Sequence, residues 1–301
     1  MAFAGRREFF FAYTVTDANP NGDPLNANHP RYDEDTEQIL VSDVRVKRTV
    51  RDQWLREGKS VFVDGETNTL KDRVETLRKA FGVTKGEEAM RHCVDTRLFG
   101  VTFALGKEAF SWTGPVQFKW GRSLHRAKVE TVQGTAAFAT KETSGQRSFR
   151  SEYRVPFCLI GVYGIANQHP SATTGATEED LDALVEALWK GTANLITRSK
   201  MEHRPRLLLE IRYRNGFDGA IGSLDEKVRL VRRDGSVLSE EDQRMLRTLG
   251  GVALDMAGIA ERLAALQDSV AAVHLLRDAD LVPTGWNAGD VLGERYREET
   301  R

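Results

Sequence analysis

The sequence predicts an α+β fold in which four strands and two helices follow one another in the order βαββαβ. Three stretches indicate this order. Glu8–Thr16 alternates aromatic and β-branched residues at period two, which predicts a strand. Ser42–Arg56 has apolar residues at helical spacing, and Val155–Gly164 is a nearly continuous apolar run typical of a buried central strand. This is the plan of ferredoxin-like domains.

The first strand ends at the turn N-P-N-G-D-P (19–24), because Asn-Pro initiates turns and Asn-Gly tolerates a positive φ. The residues predicted to share one face of this strand are Phe9, Phe11, Tyr13 and Val15. A polar loop then runs to Val41. The first helix begins with Ser42 as N-cap, and Asp43 places negative charge in the first turn, where the helix dipole favours it.

One side of this helix is predicted to pack on the core. Val46, Val50 and Trp54 recur every four residues and form a narrow apolar stripe. Four cations fall outside the stripe and are expected on the exposed surface of the helix: Arg45, Lys47, Arg48 and Arg51. A charged face of this kind is also typical of a helix that is merely solvated, so the pattern alone does not define a binding site.

The middle of the chain interrupts the βαββαβ order twice. Residues 57–114 are less regular, contain a helical pattern over 70–81, and are predicted to be an insertion. A second strand follows at 115–121. Residues 129–153 are small, polar and rich in Gly, Ser and Thr, so they cannot bury much apolar surface alone. They are predicted to form a protruding β-hairpin with its tip near 143–146.

The second half completes the order. Thr177 is the N-cap of a helix with an apolar stripe, and 206–213 alternates as the last strand. An N-cap signal at Ser239 and an Ala/Leu-rich stretch at 252–266 predict a mostly helical C-terminal region. The predicted division is therefore a domain built from 1–56, 115–128 and 154–215, an insertion at 57–114, a hairpin at 129–153 and the C-terminal region at 216–301.

Composition limits the class of protein. The net charge is −1, but 117–154 carries eight Lys/Arg against three Asp/Glu, which indicates a local site for a polyanion. The only two cysteines lack metal-ligand spacing, which favours a reducing compartment and argues against a zinc site. No cofactor is predicted. No apolar run reaches the roughly 18 residues that span a bilayer, and the N-terminus lacks a signal-peptide core. We therefore expect a cytoplasmic protein without a membrane partner.

Three segments place cations beside polar turns: the turn at 19–24 that leads into the first helix, the hairpin, and the segment 196–206. In a βαββαβ order, the first helix and the end of the second can lie near the same region. Lysine and arginine would bind phosphates there, and asparagine side chains add neutral donors. Isolated aromatic residues on the hairpin suit stacking against bases. A nucleic acid is the predicted ligand.

Other functions stay open at this point. The loop 23–37 carries five carboxylates that could bind Mg²⁺ for RNA cleavage, although such loops are more often only solvated. His125 could contact nucleic acid or act as a general base, but no partner for it is visible. No phosphate-binding glycine-rich motif supports nucleotide hydrolysis. A protein-binding scaffold without nucleic acid is the third possibility.

Six motifs in order carry a resemblance to a known family. They are N-P-N-G-D-P (19–24), S-D-V-R-V-K-R-x-V-R-D (42–52), D-T-R-L-F-G (95–100), T-G-P-V-Q-F (113–118), G-R-S-L-H-R (121–126), and S-K-M (199–201) with R-P-R-L-L-L (204–209). Over roughly residues 7 to 230, the chain resembles the multi-copy backbone subunit of type I CRISPR Cascade complexes (the Cas-seven family). The branch that it resembles most is type I-B.

The resemblance implies a subunit shaped like a hand, with an RNA-recognition-like palm, a helical finger insertion and a thumb hairpin. It implies no catalysis. Copies of the subunit would assemble head to tail along CRISPR RNA (crRNA), each thumb turning out one base at a regular interval. The exposed guide would pair with a target DNA strand. Further partners would be the 5′-handle-binding subunit, the large subunit and the small subunit of the complex.

The resemblance and the residues together give the candidate RNA-binding set. Before and within the first helix it comprises Asn19, Asn21, Ser42, Arg45, Lys47, Arg48 and Arg51. On the thumb it comprises Phe138, Lys141, Arg147 and Arg150, and elsewhere Arg122, His125, Arg198 and Lys200. Related type III backbone subunits cut bound RNA with a loop aspartate, and Asp33, Asp35 or Asp43 would be the counterpart here; the motifs favour the non-catalytic type I branch.

Overall fold

The computed structural model describes residues 1–135 and 149–301, and at 135, 149 and 150 it describes the backbone alone. The helices in these ranges are α1 (Asp43–Arg56), α2 (Leu70–Phe81), α3 (Gly86–Arg91), α4 (Val94–Phe99), α5 (Gln168–Thr174), α6 (Glu178–Ala193), α7 (Glu240–Met245), α8 (Ala257–Ala265) and α9 (Ala288–Leu292). The strands are β1 (Arg7–Ala18), β2 (Gly22–Asp23), β3 (His29–Pro30), β4 (Tyr32–Asp33), β5 (Gln38–Val41), β6 (Gly100–Leu105), β7 (Glu108–Thr113), β8 (Val116–Phe118), β9 (Gly121–Ser123), β10 (Glu130–Thr135), β11 (Phe149–Ala166), β12 (His203–Tyr213), β13 (Arg229–Arg232), β14 (Val252–Asp255), β15 (Val270–Arg277), β16 (Pro283–Thr284) and β17 (Tyr296–Thr300). None of the helices in the described ranges is long and apolar enough to cross a membrane.

One large sheet organises the fold. Its strand order is β17-β15-β12-β1-β11-β9-β5-β4, and β8 and β10 also pair with β11. The neighbouring strands are antiparallel except β15 and β17, which are parallel. The protein is thus a mixed α/β fold built around a long central sheet.

Both faces of the central strand β1 are covered. Phe9, Phe11, Tyr13 and Val15 are buried on one face in a cluster with residues of α1 and α6, as the period-two pattern predicts. Phe10 and Ala12 are buried on the other face in a second cluster formed with the C-terminal region. The sheet therefore lies between two helices and the C-terminal region.

Helix α1 begins and packs as the sequence predicts. The Ser42 side chain caps it, and Val46, Val50 and Trp54 are buried. The indole Nε1 of Trp54 donates to the carbonyl oxygen of Ala183 on α6 at 3.2 Å. At Gly191 of α6, an added Cβ would lie 2.8 Å from a backbone oxygen of α1, so only glycine permits this close approach.

The insertion has a small core of its own. The predicted helix at 70–81 is confirmed as α2, which ends at Gly82 in the left-handed conformation. The insertion is not purely helical, because β6 and β7 form a hairpin after α4. Gly100 and Gly114 close the base of that hairpin, where an added Cβ on either would lie within 2.4 Å of backbone atoms. This close approach explains both glycines in the motifs D-T-R-L-F-G and T-G-P.

The hairpin and the central strand are one element. The sequence predicts a strand over 155–164, but β11 begins at Phe149 and runs to Ala166. Its first part pairs with β10, from Glu130 opposite Arg154 to Thr135 opposite Phe149. The polar composition of the first part hides this continuity, since apolar patterning marks only the part of a strand that is buried.

The prediction of a mostly helical C-terminal region is wrong. Strands β13 to β17 lie there, and the stretch 252–266 divides into β14 and α8. The apolar residues of β14 are buried and pair with β13, so tertiary packing overrides their helical spacing. Strand β15 extends the large sheet beside β12.

Candidate nucleic-acid interface

The turn after β1 is fixed to the start of α1. The side-chain oxygen Oδ1 of Asn21 accepts hydrogen bonds from the backbone N–H of Ser42 at 2.8 Å and from its hydroxyl at 2.9 Å. The backbone N–H of Asn19 donates to the carbonyl oxygen of Ser199 at 2.8 Å. These bonds join three of the predicted segments at one place, which is called the junction below: the turn 19–24, the start of α1 and the segment 196–206.

Asn19 itself is buried, with 3% of its surface exposed. Its amide Nδ2 donates to the carbonyl oxygen of Asn28 at 2.7 Å. Its Oδ1 is buried without a hydrogen-bond partner among the described residues. The predicted asparagines therefore shape the junction, Asn19 from inside it and Asn21 at the helix cap.

Three of the four α1 cations are not displayed on the surface, contrary to the sequence prediction. The Nζ of Lys47 lies 3.1 Å from Asp43 and its side chain is 11% exposed. Arg48 pairs with Asp52 and donates to the carbonyl oxygen of Val63 at 2.9 Å. These contacts hold the side chains against the protein, so a solvated cationic ridge does not exist along the helix.

Arg51 is the most internal of these cations. Its Nε donates at 2.8 Å to Asp95, which is fully buried, and its guanidinium lies 5.2 Å from the ring centre of Phe99. The same carboxylate accepts the backbone N–H groups of Phe62 and Val63 at 2.7 and 3.1 Å. This ion pair, whose carboxylate accepts three hydrogen bonds, fixes the insertion to α1, which is a structural role.

Arg45 differs from the other three cations. Its Nη2 donates to the hydroxyl of Thr49 at 3.0 Å, and no carboxylate of the described residues lies within ion-pair distance. It lines a small cavity together with Tyr13 and His203. Burial lowers the pKa of its guanidinium. Arg45 is thus a half-buried cation without a direct ion pair among the described residues, and the charge of Asp52, which is bonded to Arg48, acts on it only from a distance.

Lys200 is a second such cation in the same place. Its Nζ donates to the carbonyl oxygen of Asn19 at 2.7 Å. Burial, and next the positive charge of Arg45, lower the pKa of Lys200 to about 8. Burial lowers the pKa of His203 to about 4, and its Nδ1 bonds the carbonyl oxygen of Lys200 at 2.7 Å. Two cations and a neutral histidine therefore meet at the junction.

The base of the hairpin lies beside the junction. Arg198, 63% exposed, donates to Glu152 of β11 at 2.7 Å. The rings of His29 and Tyr153 meet edge to face with centres 4.7 Å apart. One cleft is lined by residues of the turn, the hairpin and the segment 196–206, namely Asn19, Ala27, Asn28, Ser151, Glu152, Tyr153, Arg198 and Ser199.

The outer hairpin residues cannot be placed in the same way. Phe138, Lys141 and Arg147 lie outside the residues that the structure describes. Arg150 is described only through its backbone, which pairs with Gly134. Their role in RNA binding stays a prediction.

The two candidates after the second strand have other surroundings. Arg122 is 43% exposed and bonds Asp33 at 3.1 Å. His125 is 3% exposed, its Nδ1 is bonded to the carbonyl oxygen of Arg126 at 2.7 Å, and its Nε2 accepts from the backbone of Leu159 at 3.3 Å. The prediction that His125 contacts a ligand or acts as a base is wrong, because both ring nitrogens are used inside the core and burial lowers the pKa of the ring.

Arginine side chains form ion pairs with the acidic loop 23–37. Glu37 bonds Arg126 at 2.8 Å and Arg244 at 3.0 Å, and these contacts hold the pKa of its carboxyl below the usual range. Hydrogen bonds from Thr36 and Arg122 lower the pKa of Asp33. Within the described ranges, no group of three acidic, histidine or cysteine side chains is arranged to hold a metal ion. This arrangement does not favour the metal-dependent ribonuclease.

His203, His29 and Tyr153 were not among the sequence candidates. Sequence patterning offers little signal for them, because each is an isolated residue whose position depends on long-range contacts. The segment 196–206 is identified from its cations, and His203 lies within it, but the predicted last strand begins only at 206. Only the fold shows that β12 begins at the junction.

Chains of known structure share this fold. A chain of a "CRISPR RNA-guided surveillance complex" aligns with a TM-score of 0.55 at 17% identity, covering 98% of this chain and 94% of that chain. A chain of a "CRISPR RNA-guided surveillance complex, pre-nicking" aligns with a TM-score of 0.58 at 14% identity, covering 98% and 96%. The chain therefore has the fold of these two chains of RNA-guided surveillance complexes.

Sequence comparison identifies the family. Residues 5–256 match the family of the CRISPR-associated protein Cas7, so the chain belongs to this family. A curated relative, the CRISPR-associated protein Cas7 of Haloferax volcanii, is 26% identical over 312 residues, which cover 93% of this chain and 89% of the relative.

Proposed function

We propose that this protein is a non-catalytic, crRNA-binding backbone subunit of a type I Cascade surveillance complex, of the I-B branch. The observation that carries the proposal is the junction, where Arg45 of α1 and Lys200 of the segment 196–206 bond only neutral oxygens, of Thr49 and Asn19, and no carboxylate of the described residues lies within ion-pair distance of either. Two half-buried like charges are unfavourable unless an anion joins them. A phosphate of the RNA backbone is the anion that a member of this family would meet there.

The covered faces of the sheet favour binding of the RNA sugar–phosphate backbone over recognition of the bases. In RNA-recognition domains, bases stack on aromatic residues of an open sheet face. Here Phe9, Phe10 and Phe11 are each at most 2% exposed, because helices cover one face of β1 and the C-terminal region covers the other. RNA would therefore bind at the junction and the hairpin rather than on the sheet. Contacts to phosphates leave the base edges free to pair with a target strand.

We infer that the palm is ferredoxin-like. Its four strands would be β1, β9 with the adjoining β8, β11 and β12, and its two helices α1 and α6. The observed order β12-β1-β11-β9, all antiparallel, supports this plan, since the third strand lies between the first and second and the fourth lies outside the first. The insertion would then be the finger, and β10 with the start of β11 the thumb.

In this role the protein would act in many copies. Successive subunits would join head to tail along crRNA, with the 5′-handle-binding, large and small subunits completing the complex. The target DNA strand would pair with the guide that the copies display. No residue of this chain would cut either strand.

Charge-neutralising variants at the junction test RNA binding. The double variant Arg45→Gln/Lys200→Gln should lose most of the RNA that co-purifies with the protein, measured by the absorbance ratio at 260 and 280 nm and by the length of extracted RNA. A matched control is Arg233→Gln/Arg262→Gln, which removes two exposed cations of the C-terminal region. Equal RNA content in both variants, with circular dichroism showing both folded, would contradict the proposal.

A cleavage assay tests the absence of catalysis. Labelled RNA incubated with the protein and Mg²⁺ should stay intact. Cuts at a fixed spacing that disappear in an Asp33→Asn variant would instead establish the ribonuclease.

A further inference from the structure

Trp120 differs from the other tryptophans of the chain in its exposure. All five tryptophans lie in the described residues; Trp54, Trp112 and Trp189 are buried, Trp286 is partly buried, and Trp120 is 43% exposed. Exposure alone does not define a site, because single apolar residues are common on protein surfaces. The position of the ring in the fold is what indicates a ligand.

The large sheet places Trp120 beside the start of α1. Strands β5 and β9 are antiparallel, and Gly121 of β9 lies opposite Val41, the residue that precedes the helix cap Ser42. Trp120 comes directly before Gly121 in the chain. It therefore lies next to the first residues of α1, which belong to the junction.

Arg31 connects the same ring to the turn 19–24. The central carbon of its guanidinium lies 5.9 Å from the centre of the Trp120 ring, and its backbone N–H donates to the carbonyl oxygen of Asn21 at 2.9 Å. Asn21 in turn accepts the backbone N–H of Ser42 at 2.8 Å. Two separate sets of contacts therefore place the exposed ring at the edge of the junction.

The cations that flank the ring already have carboxylate partners. These pairs are Arg31 with Asp23 at 3.4 Å, Lys119 with Asp225 at 3.0 Å, and Arg122 with Asp33 at 3.1 Å. At the junction itself, by contrast, Arg45 and Lys200 bond only neutral oxygens. A phosphate is thus attracted to the junction, whereas the exposed indole suits a neutral, flat group that stacks on it.

We propose that one base of the RNA bound at the junction stacks on the indole ring of Trp120. This rests on the proposed function, because the bound RNA backbone brings the base to the ring. Stacking uses the flat face of a base and tolerates any sequence, since every base has such a face. The hydrogen-bonding edge stays free to pair with a target strand. Trp120 therefore orients one base of the guide without reading its identity.

Affinity for two single-stranded probes, measured by fluorescence anisotropy, tests the stacking. One probe is RNA of mixed sequence long enough for one copy; the other has the same length and ribose phosphates but no bases. Trp120→Leu keeps an apolar side chain without an aromatic face. It should weaken RNA binding about tenfold and leave the affinity for the base-free probe unchanged. Trp120→Phe should keep most of the RNA affinity, because a phenyl ring also stacks.

The matched control is Val237→Ala, which shortens an exposed apolar side chain of the C-terminal region and should bind both probes as the unchanged protein does. Two further measurements separate stacking from a phosphate contact. The slope of log affinity against log salt should be the same in Trp120→Leu as in the unchanged protein, because a stacked base releases no counterions. RNA should quench part of the tryptophan fluorescence, and this quenching should be lost in Trp120→Phe and kept in Trp286→Phe.

Three results would overturn the inference. Equal RNA affinity in Trp120→Leu and the unchanged protein would exclude the stacking and leave the proposed function standing. An equal loss of affinity for both probes would assign Trp120 to the fold or to a contact between copies of the chain. If the unchanged protein binds neither probe, the proposed function fails with the inference.

Discussion

Arg51 and Arg45 lie on the same helix, and their surroundings are opposite. Arg51 bonds a fully buried carboxylate at 2.8 Å and sits against Phe99, so its charge is matched inside the protein. Arg45 donates to the hydroxyl of Thr49 at 3.0 Å, no carboxylate of the described residues lies within ion-pair distance of it, and Arg48 adds a like charge. A cation with a partner stabilises the fold, whereas a cation without one is available to a ligand.

The largest effect is expected from removing the partner of Arg51. Asp95→Ala leaves one guanidinium and two backbone N–H groups without their acceptor, which should lower the free energy of unfolding by about 3–5 kcal/mol. Urea unfolding followed by circular dichroism measures this. The control is Asp52→Ala. The Asp52 side chain is 37% exposed, so its ion pair with Arg48 should contribute about 0.5 kcal/mol to the free energy of unfolding. Similar losses in both variants would show that the buried pair has no special role.

The next largest effect is expected in RNA binding, where variants of Arg45 and Arg51 should differ in how strongly the affinity depends on salt. Each phosphate contact contributes about 0.7 to the slope of log affinity against log salt for a single strand. Arg45→Gln should make that slope shallower by about 0.7, while Arg51→Gln should lower stability and leave the slope unchanged. Fluorescence anisotropy over a salt series, on folded protein, measures both slopes. A shallower slope for Arg51→Gln alone would reverse the comparison.

We expect Lys200 to lower the free energy of unfolding near neutral pH while contributing to RNA binding. Its pKa is about 8 in the folded protein and near 10.4 when unfolded, so the unfolded chain binds more protons between these values and stability rises with pH there. Lys200→Met should therefore raise the melting temperature at pH 7. The gain should shrink as pH rises from 8 to 10. Thermal unfolding at several pH values checks this, and an equal gain at pH 7 and pH 10 would exclude the electrostatic cause.

The smallest effect is expected at Arg198. Its ion pair with Glu152 is exposed, so Arg198→Gln should change the free energy of unfolding by at most about 1 kcal/mol. RNA affinity should fall by only a few fold, since an exposed cation near the hairpin is screened by salt. A loss as large as that of Arg45→Gln would extend the binding site to the cleft beside the hairpin.

Patterns that depend on neighbouring residues are readable from the sequence. The cap at Ser42, the stripe through Trp54, the helix at 70–81 and the core face of β1 all follow from local spacing and are confirmed. The strands of the C-terminal region are not predictable in this way, because β14 and β15 take their conformation from strands far along the chain.

The candidate site is predictable in its location but not in its members. The segments around 19–24, 42–45 and 196–206 do meet, as their polar and cationic composition suggests. Spacing along α1 distinguishes apolar from charged positions only. It cannot show that Asp95 bonds Arg51 from 44 residues away, nor that Arg45 has no such partner.

The continuity of β11 has a mechanical consequence. The strand runs without a break from the base of the hairpin into the centre of the sheet, where β1 pairs with it from Ala18 to Arg7. No loop separates the two parts, so the described base of the hairpin has no hinge of its own and its angle is set by the twist of the sheet. Every copy of the chain would hold its hairpin at the same angle to the sheet. A row of copies would therefore contact a bound strand at equal intervals.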